Sequence, residues 1–362
     1  MREDRVFNFS AGPGVLAEEV LQKAQDEIFN YHGTGMSIME MSHRSSSYQA
    51  VFDHVKAQFK KLMHVPDNYE ILFLQGGAST QFSMIPLNLM SITGKADYAV
   101  TGNFSSIACK EAAKYGKVKC VYDGKRNGYT EIPSQDELQL SSDASYFHYC
   151  ANNTIYGTAW NYVPETGNVP IVCDMSSEIT SHVVDISRYG LIYAGAQKNM
   201  APAGVTVVII RKDLAGKQMA NTPYMLNYQT MIEKDSMLNT PPCWCIYMLG
   251  LTLDWLEKQG GVEAMEKIKH AKAQMIYDVI DASALYIGHA KKEARSDMNV
   301  TFRTGSPELD GQFIKEAAAQ GLVSLKGHRI TGGMRASIYN AMPMEGVEKL
   351  RDFMLDFERR NG

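Results

Sequence analysis

Seven short apolar runs, at 70–74, 98–100, 118–122, 145–149, 169–173, 191–193 and 205–210, recur through the first two thirds of this 362-residue chain, and helix-like stretches separate several of them. Runs that stay apolar at successive positions suit strands buried on both faces. Strand, helix, strand over such a length predicts an α/β fold, a mainly parallel sheet with helices on both faces. In sheets connected this way, ligands gather at the carboxyl ends of the strands. The residues leaving the runs are therefore the first candidates for function. They are Gly76, Gly77, Ala78 and Ser79 after the first run, Phe104 after the second, Thr154 after the fourth, Asp174 after the fifth and Lys198 after the sixth.

Taken singly, each has an ordinary explanation. A lysine at a strand end usually carries its amine to solvent, and an aspartate there usually caps a turn. Their shared placement changes the reading. A Gly-Gly turn entering a helix lets backbone N–H groups converge on a phosphate. The turn ends in neither G-K-[ST] nor G-x-G-x-x-G, which favours the phosphate of an organic cofactor over ATP or NAD. A lysine amine stripped of water is a nucleophile toward carbonyls. Lysine, buried carboxylate and phosphate nest together match what pyridoxal phosphate needs: an anchoring amine and a partner for the pyridinium nitrogen.

Other parts of the chain narrow the function. The formal charge of −4 and the absence of a basic run speak against nucleic-acid and anionic-membrane partners. The six cysteines form no CxxC pair and no zinc half-site, which predicts reduced thiols and no metal. No apolar run approaches the ~20 residues that span a bilayer. The stretch from Met1 to Arg5 shows no leader pattern, so a cytoplasmic protein is expected. After 205–210 come the rigid segment Asn239-Thr240-Pro241-Pro242, a helix over 243–258 and the breaker Gly260-Gly261. Beyond it, helices over 262–280, 309–320 and 347–359 with strands at 300–302 and 334–338 predict a smaller α+β domain. Two His-Arg pairs, His43-Arg44 and His328-Arg329, together with Arg335, could hold a substrate bearing both a phosphate and a carboxylate.

The segments Asn8 to Pro13, Met39 to Arg44, Asn153 to Gly157, Tyr193 to Asn199, Asn239 to Pro242, Lys326 to Arg329 and Gly332 to Pro343 resemble, nearly end to end, the phosphoserine aminotransferases. These are pyridoxal-phosphate enzymes of fold type I, the aspartate-aminotransferase group. The resemblance implies an N-terminal segment (1–15) packing with the small domain, a large cofactor-binding domain (16–260) and a small C-terminal domain (261–362). It implies reversible transamination of 3-phosphohydroxypyruvate with glutamate, giving O-phosphoserine and 2-oxoglutarate in serine biosynthesis. Use of phosphohydroxythreonine in pyridoxine biosynthesis is a further possible activity of such enzymes. Lys198 would be the Schiff-base lysine, Asp174 the partner of the ring nitrogen, and Thr154 a contact of the ring hydroxyl. Ala78, Ser79 and Gln197 would hold the cofactor phosphate, joined by Asn239 and Thr240 from the second subunit of a homodimer. Arg335 would take the substrate carboxylate, and His43, Arg44, His328 and Arg329 would surround the substrate phosphate or the glutamate side chain. Two positions depart from the family pattern: Phe104 stands where many members stack a tryptophan, and Ser79 where some carry an arginine. Phenylalanine still stacks, with less area and no N–H. An alanine–glyoxylate type transaminase, a desulfurase-like relative and a non-catalytic cofactor-binding regulator are the alternatives; no cysteine is placed as a desulfurase needs, and a nicotinamide dehydrogenase lacks its three-glycine turn.

Overall fold

The computed structural model describes residues 4–362, so the first three residues of the expected 1–15 segment lie outside the described residues. The seven apolar runs become one seven-stranded sheet: β1 (Tyr69–Leu74), β2 (Lys95–Val100), β3 (Lys117–Asp123), β4 (Phe147–Cys150), β5 (Ile171–Asp174), β6 (Leu191–Gly195) and β7 (Thr206–Arg211). Their spatial order is β1-β7-β6-β5-β4-β2-β3. All neighbouring pairs are parallel except those made by β7, which runs antiparallel to both β1 and β6. The sheet is thus mainly parallel, as the sequence predicts, with one reversed strand that the run of apolar residues does not reveal.

Alternation along the strands divides the core. Ile71, Phe73, Val207 and Ile209 bury with the helices Ser46–Leu62 and Cys243–Lys258 on one face. Leu72, Leu74, Val208 and Ile210 bury on the other, where the helix Gly77–Leu89 adds Phe82 and Ile85, and the helix Asn103–Ala112 adds Ala108. Strands with both faces covered have no polar side, which is why the runs read as continuous.

A second architecture follows the helix Cys243–Lys258. Gly260 (φ 95°) and Gly261 (φ 76°) turn the chain into the helix Gly261–Ala282 with left-handed backbone that glycine adopts at low cost. Three antiparallel strands, Ile287–Gly288, Asn299–Arg303 and Met334–Ser337, form a small sheet. The helices Pro307–Ala319 and Met344–Asn361 bury Phe313, Phe353 and Phe357 around it, with edge-on ring contacts at 4.9 and 5.1 Å. Phe7–Asn8 pairs parallel with Leu322–Val323, and Phe7, Phe9 and Val15 enter the same apolar cluster.

The cysteines are all free; Cys150 and Cys173 are buried, Cys120 is exposed, and the remaining three are intermediate. Among the described residues no helix is long and apolar enough to cross a membrane, and no group of three or more His, Cys, Asp or Glu is arranged to hold a metal ion.

Candidate active site

Register brings the candidate residues to one rim. Cys150 at the end of β4 pairs with Asp174 at the end of β5, and Asp174 pairs with Tyr193 on β6, two residues before that strand ends at Gly195. Lys198 lies in the hairpin connection that joins β6 to β7, whose first pair is Gly195 with Thr206. Its Nζ donates to Thr154 Oγ1 at 2.7 Å, and the backbone oxygen of Thr154 accepts from Arg335 Nη1 at 3.0 Å. The amine also stands 5.7 Å from the ring centroid of Phe104, which is 37% exposed and so presents free ring surface at the site. Lys198, Thr154, Phe104, Asp174 and Arg335 therefore converge, although Arg335 comes from the C-terminal sheet.

Burial is the leading influence on the ionisation of this group of residues. It lowers the pKa of the Lys198 amine, aided by the positive Arg335, while the charges of Asp174 and Cys150 work against it. Burial raises the pKa of Asp174, opposed by the bond from Ser176 N to Oδ1 at 2.9 Å and by the nearby Lys198. A lysine less costly to deprotonate beside a carboxylate held on a rigid turn is the arrangement of a nucleophilic amine with an ionic partner.

Close packing fixes the lysine from behind. Gly14 N donates to the Gln197 oxygen at 2.7 Å, and a Cβ on Gly14 would lie 2.6 Å from the Lys198 oxygen. On the other flank Asn199 Oδ1 accepts from Asn340 N at 3.1 Å, and its Nδ2 donates to the Ile179 oxygen at 3.1 Å. Asn340 and Tyr339 belong to a turn held by Lys272. That lysine is fully buried with no carboxylate partner among the described residues, and it donates to the oxygens of Tyr339 (2.9 Å), Asn340 (3.3 Å) and Met342 (3.1 Å).

At the edge strand β1 the Gly76-Gly77 turn, with φ of 89° and 68°, starts the helix Gly77–Leu89 and leaves its first N–H groups unused by the helix. Ala78 is half-buried and Ser79 exposed there. Nothing would meet a Cβ on Gly77 within 4 Å, so open space adjoins the turn. Gln75 Nε2 donates to the Thr240 oxygen at 2.9 Å and to Asn239 Oδ1 at 3.4 Å, which keeps Asn239 and Thr240 of the same chain beside this turn, both exposed. Gln197 is half-buried. The donor set therefore fits pyridoxal phosphate: an amine, a buried carboxylate, a flat aromatic surface and a helix N-terminus for the phosphate.

The remaining cationic candidates are less gathered. Burial lowers the pKa of His328, aided by the charges of Arg335 and Arg329. Arg329 and Arg44 are exposed and His43 half-buried, and among the described residues no hydrogen bond or ion pair joins any of these three to Lys198. Sequence reasoning missed Tyr193, His148 and Lys272. Tyr193 Oη and the buried His148 Nε2 lie 2.9 Å apart behind Asp174, inside strands whose apolar neighbours hid them.

Comparison with known proteins agrees with this geometry. The family model "Aminotransferase class-V" matches residues 6–350. The phosphoserine aminotransferase of Lysinibacillus sphaericus (strain C3-41) is 52% identical over 358 residues, 99% of each chain. The solved phosphoserine aminotransferase from Bacillus circulans subsp. alkalophilus superposes with a TM-score of 0.97 at 46% identity, over 99% of this chain and 100% of that one. A structure of phosphoserine aminotransferase with bound PLP from Trichomonas vaginalis gives 0.93 at 36% identity, over 97% and 100%. Matched almost from end to end in sequence and in backbone, the chain belongs to the class-V aminotransferase family.

Proposed function

We infer that this chain is a pyridoxal-phosphate-dependent aminotransferase acting on phosphoserine and glutamate and their 2-oxo acids. The observation that carries the reading is the Lys198 amine, bonded to Thr154 and set between Asp174 and Arg335. Bound pyridoxal phosphate supplies an aldehyde carbon that captures amino groups and a conjugated ring that accepts the electron pair released at the substrate Cα. The rest is done by the chain. Lys198 Nζ, kept from full hydration, anchors the cofactor and, once free of it, takes the proton from the substrate Cα and returns it. Asp174 would face the ring nitrogen, where its carboxylate would keep a proton. Phe104 would cover one ring face, and the N–H groups of Ala78 and Ser79, with Gln197, would hold the cofactor phosphate. Arg335, already oriented by Thr154, fixes the substrate carboxylate by its fork of donors. Arg44 and Arg329 supply charge, and His43 and His328 hydrogen bonds, for the substrate phosphate or the glutamate side chain.

This reading goes with a homodimer in which Asn239 and Thr240 of each chain reach the other's cofactor phosphate. Support comes from the exposure of Phe29 (89%), Tyr224 (63%) and Met39 (57%), large apolar surfaces suited to a second copy. It also goes with a division into 1–15, 16–260 and 261–362, supported by the separate C-terminal apolar cluster and the Gly260-Gly261 break. A cytoplasmic setting suits a soluble biosynthetic enzyme of this kind.

Borohydride reduction followed by peptide mapping tests the anchor: the cofactor should be fixed on Lys198, and recovery on another lysine would end the assignment. The half-reaction spectrum tests the substrate. Phosphoserine should convert the bound cofactor at far lower concentration than serine, and equal responses would remove the phosphate specificity.

A further inference from the structure

A cavity of about 440 Å³ opens behind the turn that follows Asp174, and none of Lys198, Thr154, Phe104 or Arg335 lines it. One wall comes from Tyr149, Trp160 and Tyr162, whose rings lie 4.8 and 5.4 Å apart in sequence of contact. The other comes from Lys269, Arg295 and Asp297 beyond the Gly260-Gly261 break.

Glu178 is the unmatched group in it. Its side chain is 7% exposed, borders the cavity and makes no hydrogen bond or ion pair among the described residues. Burial pushes its carboxyl up to about 7, against the attraction of Lys269 and with the repulsion of Asp174 and Asp297. Lys269 attracts it only from a distance, because that ammonium sits on His182 Nδ1 at 3.3 Å. Arg295 forks onto Asp281 through its two terminal nitrogens at 3.0 and 2.5 Å, its buried Nε having no acceptor among the described residues, and Asp297 faces His270 at 3.5 Å. Trp160 Nε1, on the aromatic wall, is also buried without an acceptor.

The lining selects the ligand class. Four acids (Glu178, Asp185, Glu266, Asp297) outnumber the two fixed cations (Lys269, Arg295); of the two imidazoles in the lining, burial pushes His182 down to about 3 and so keeps it neutral, and His270 faces Asp297, which disfavours an anion. The ligating groups are too scattered for a metal ion among the described residues. A desolvated carboxylate at the end of an aromatic-walled cavity is the chemistry that recognises an organic ammonium. We propose that this cavity binds a small alkylammonium cation, its N–H on the Glu178 carboxylate and its alkyl groups against Trp160 and Tyr149. Because Glu178 and Asp174 repel across one turn, an occupied cavity eases the burial of the Asp174 charge. The site stands whether or not the transaminase reading holds.

The probe is trimethylammonium chloride, a tertiary cation that cannot condense with an aldehyde, added to the holoenzyme at constant ionic strength. The chain has three tryptophans, Trp160, Trp244 and Trp255, so 15N-indole labelling gives three indole resonances assignable by single Trp→Phe variants. The Trp160 resonance should shift alone and saturably, and Glu178→Gln should weaken the response at least tenfold. A Trp160 resonance that does not move, three that move together with added salt, or an unchanged curve in Glu178→Gln would overturn the proposal. If that variant does not fold, Glu178→Asp, which draws the carboxylate back, should weaken binding severalfold, and an unchanged affinity there refutes the site equally.

Discussion

Replacing Lys272 by methionine keeps most of the side-chain volume and removes the one donor shared by three carbonyls of the 339–342 turn. The Tyr339 oxygen keeps the Met342 N–H as a partner, so the oxygens of Asn340 and Met342 are the two left unpaired; at roughly 1–3 kcal/mol for each buried polar group the gross loss is roughly 2–6 kcal/mol. Against this stands the relief of a desolvated ammonium. Burial lowers the Lys272 pKa from 10.5 to about 7, a difference worth about 5 kcal/mol if fully realised. The carbonyls favour the charged form and recover part of that, so the net destabilisation at neutral pH is on the order of 1–3 kcal/mol. The pH dependence separates this account from a simple cavity. Between pH 7 and 10.5 the unfolded lysine holds its proton while the folded one has released it, so the native protein gains stability as pH rises through that window. Lys272→Met cannot. Urea unfolding of the two holoenzymes at matched protein and cofactor concentrations should show their stability gap flat below pH 6 and wider at pH 9.5 than at pH 7 by about 1–3 kcal/mol. A variant as stable as the parent, or a gap that does not change with pH, refutes the reasoning.

Gly14→Ala would place a Cβ 2.6 Å from the Lys198 oxygen and 2.8 Å from Tyr339 Cδ2; overpacking of about 1–3 kcal/mol at that spot should lower both the melting temperature and cofactor occupancy read by absorbance. Arg335→Lys gives up the fork and the bond to the Thr154 oxygen, and KM for glutamate and phosphoserine should rise together by about tenfold or more. Arg329→Ala should weaken phosphoserine far more than an unphosphorylated amino acid in half-reaction titrations, and equal losses would remove its phosphate role. Tyr193→Phe strips from His148 its one side-chain hydrogen-bond partner among the described residues, its Nδ1 being already unpaired; unfolding should move by about 1–3 kcal/mol with little change in KM.

How much of this could be read beforehand depended on whether a residue's environment is local. Asp174, Thr154 and Lys198 were legible because the carboxyl end of a buried strand is a position that a run of apolar residues defines, and those ends converge in any mainly parallel sheet. The reversed direction of β7 was not, since Val207 and Ile209 against Val208 and Ile210 alternate identically in either orientation. In the helix Glu18–Glu27 the spacing of Val20, Leu21 and Ala24 suits one inner face, yet Leu21 is 37% exposed, while Glu27 is buried, bonded to Tyr247 at 2.6 Å. Lys272 shows the same limit: within the helix Gly261–Ala282 it looks like one more solvated lysine, and only carbonyls from nearly seventy residues further on make its burial tolerable. Glu178 and His182 were likewise silent, because the cavity they border is closed by Lys269 and Asp297 from the far side of the Gly260-Gly261 break.

The antiparallel pairing of β6 with β7 has a kinetic corollary. Lys198 sits within residues 196–205, between strands that are adjacent in both sequence and space, so closing that loop takes little chain entropy and involves contacts of low sequence separation. Its partners do not share this advantage: Gly12, Arg335 and Asn340 arrive from opposite ends of the chain. Amide protection in the hairpin is therefore expected to develop ahead of the ability to capture the cofactor. A chain still emerging from the ribosome with only its first 260 residues available would display the lysine on a formed sheet while lacking the guanidinium and the turn that complete its pocket.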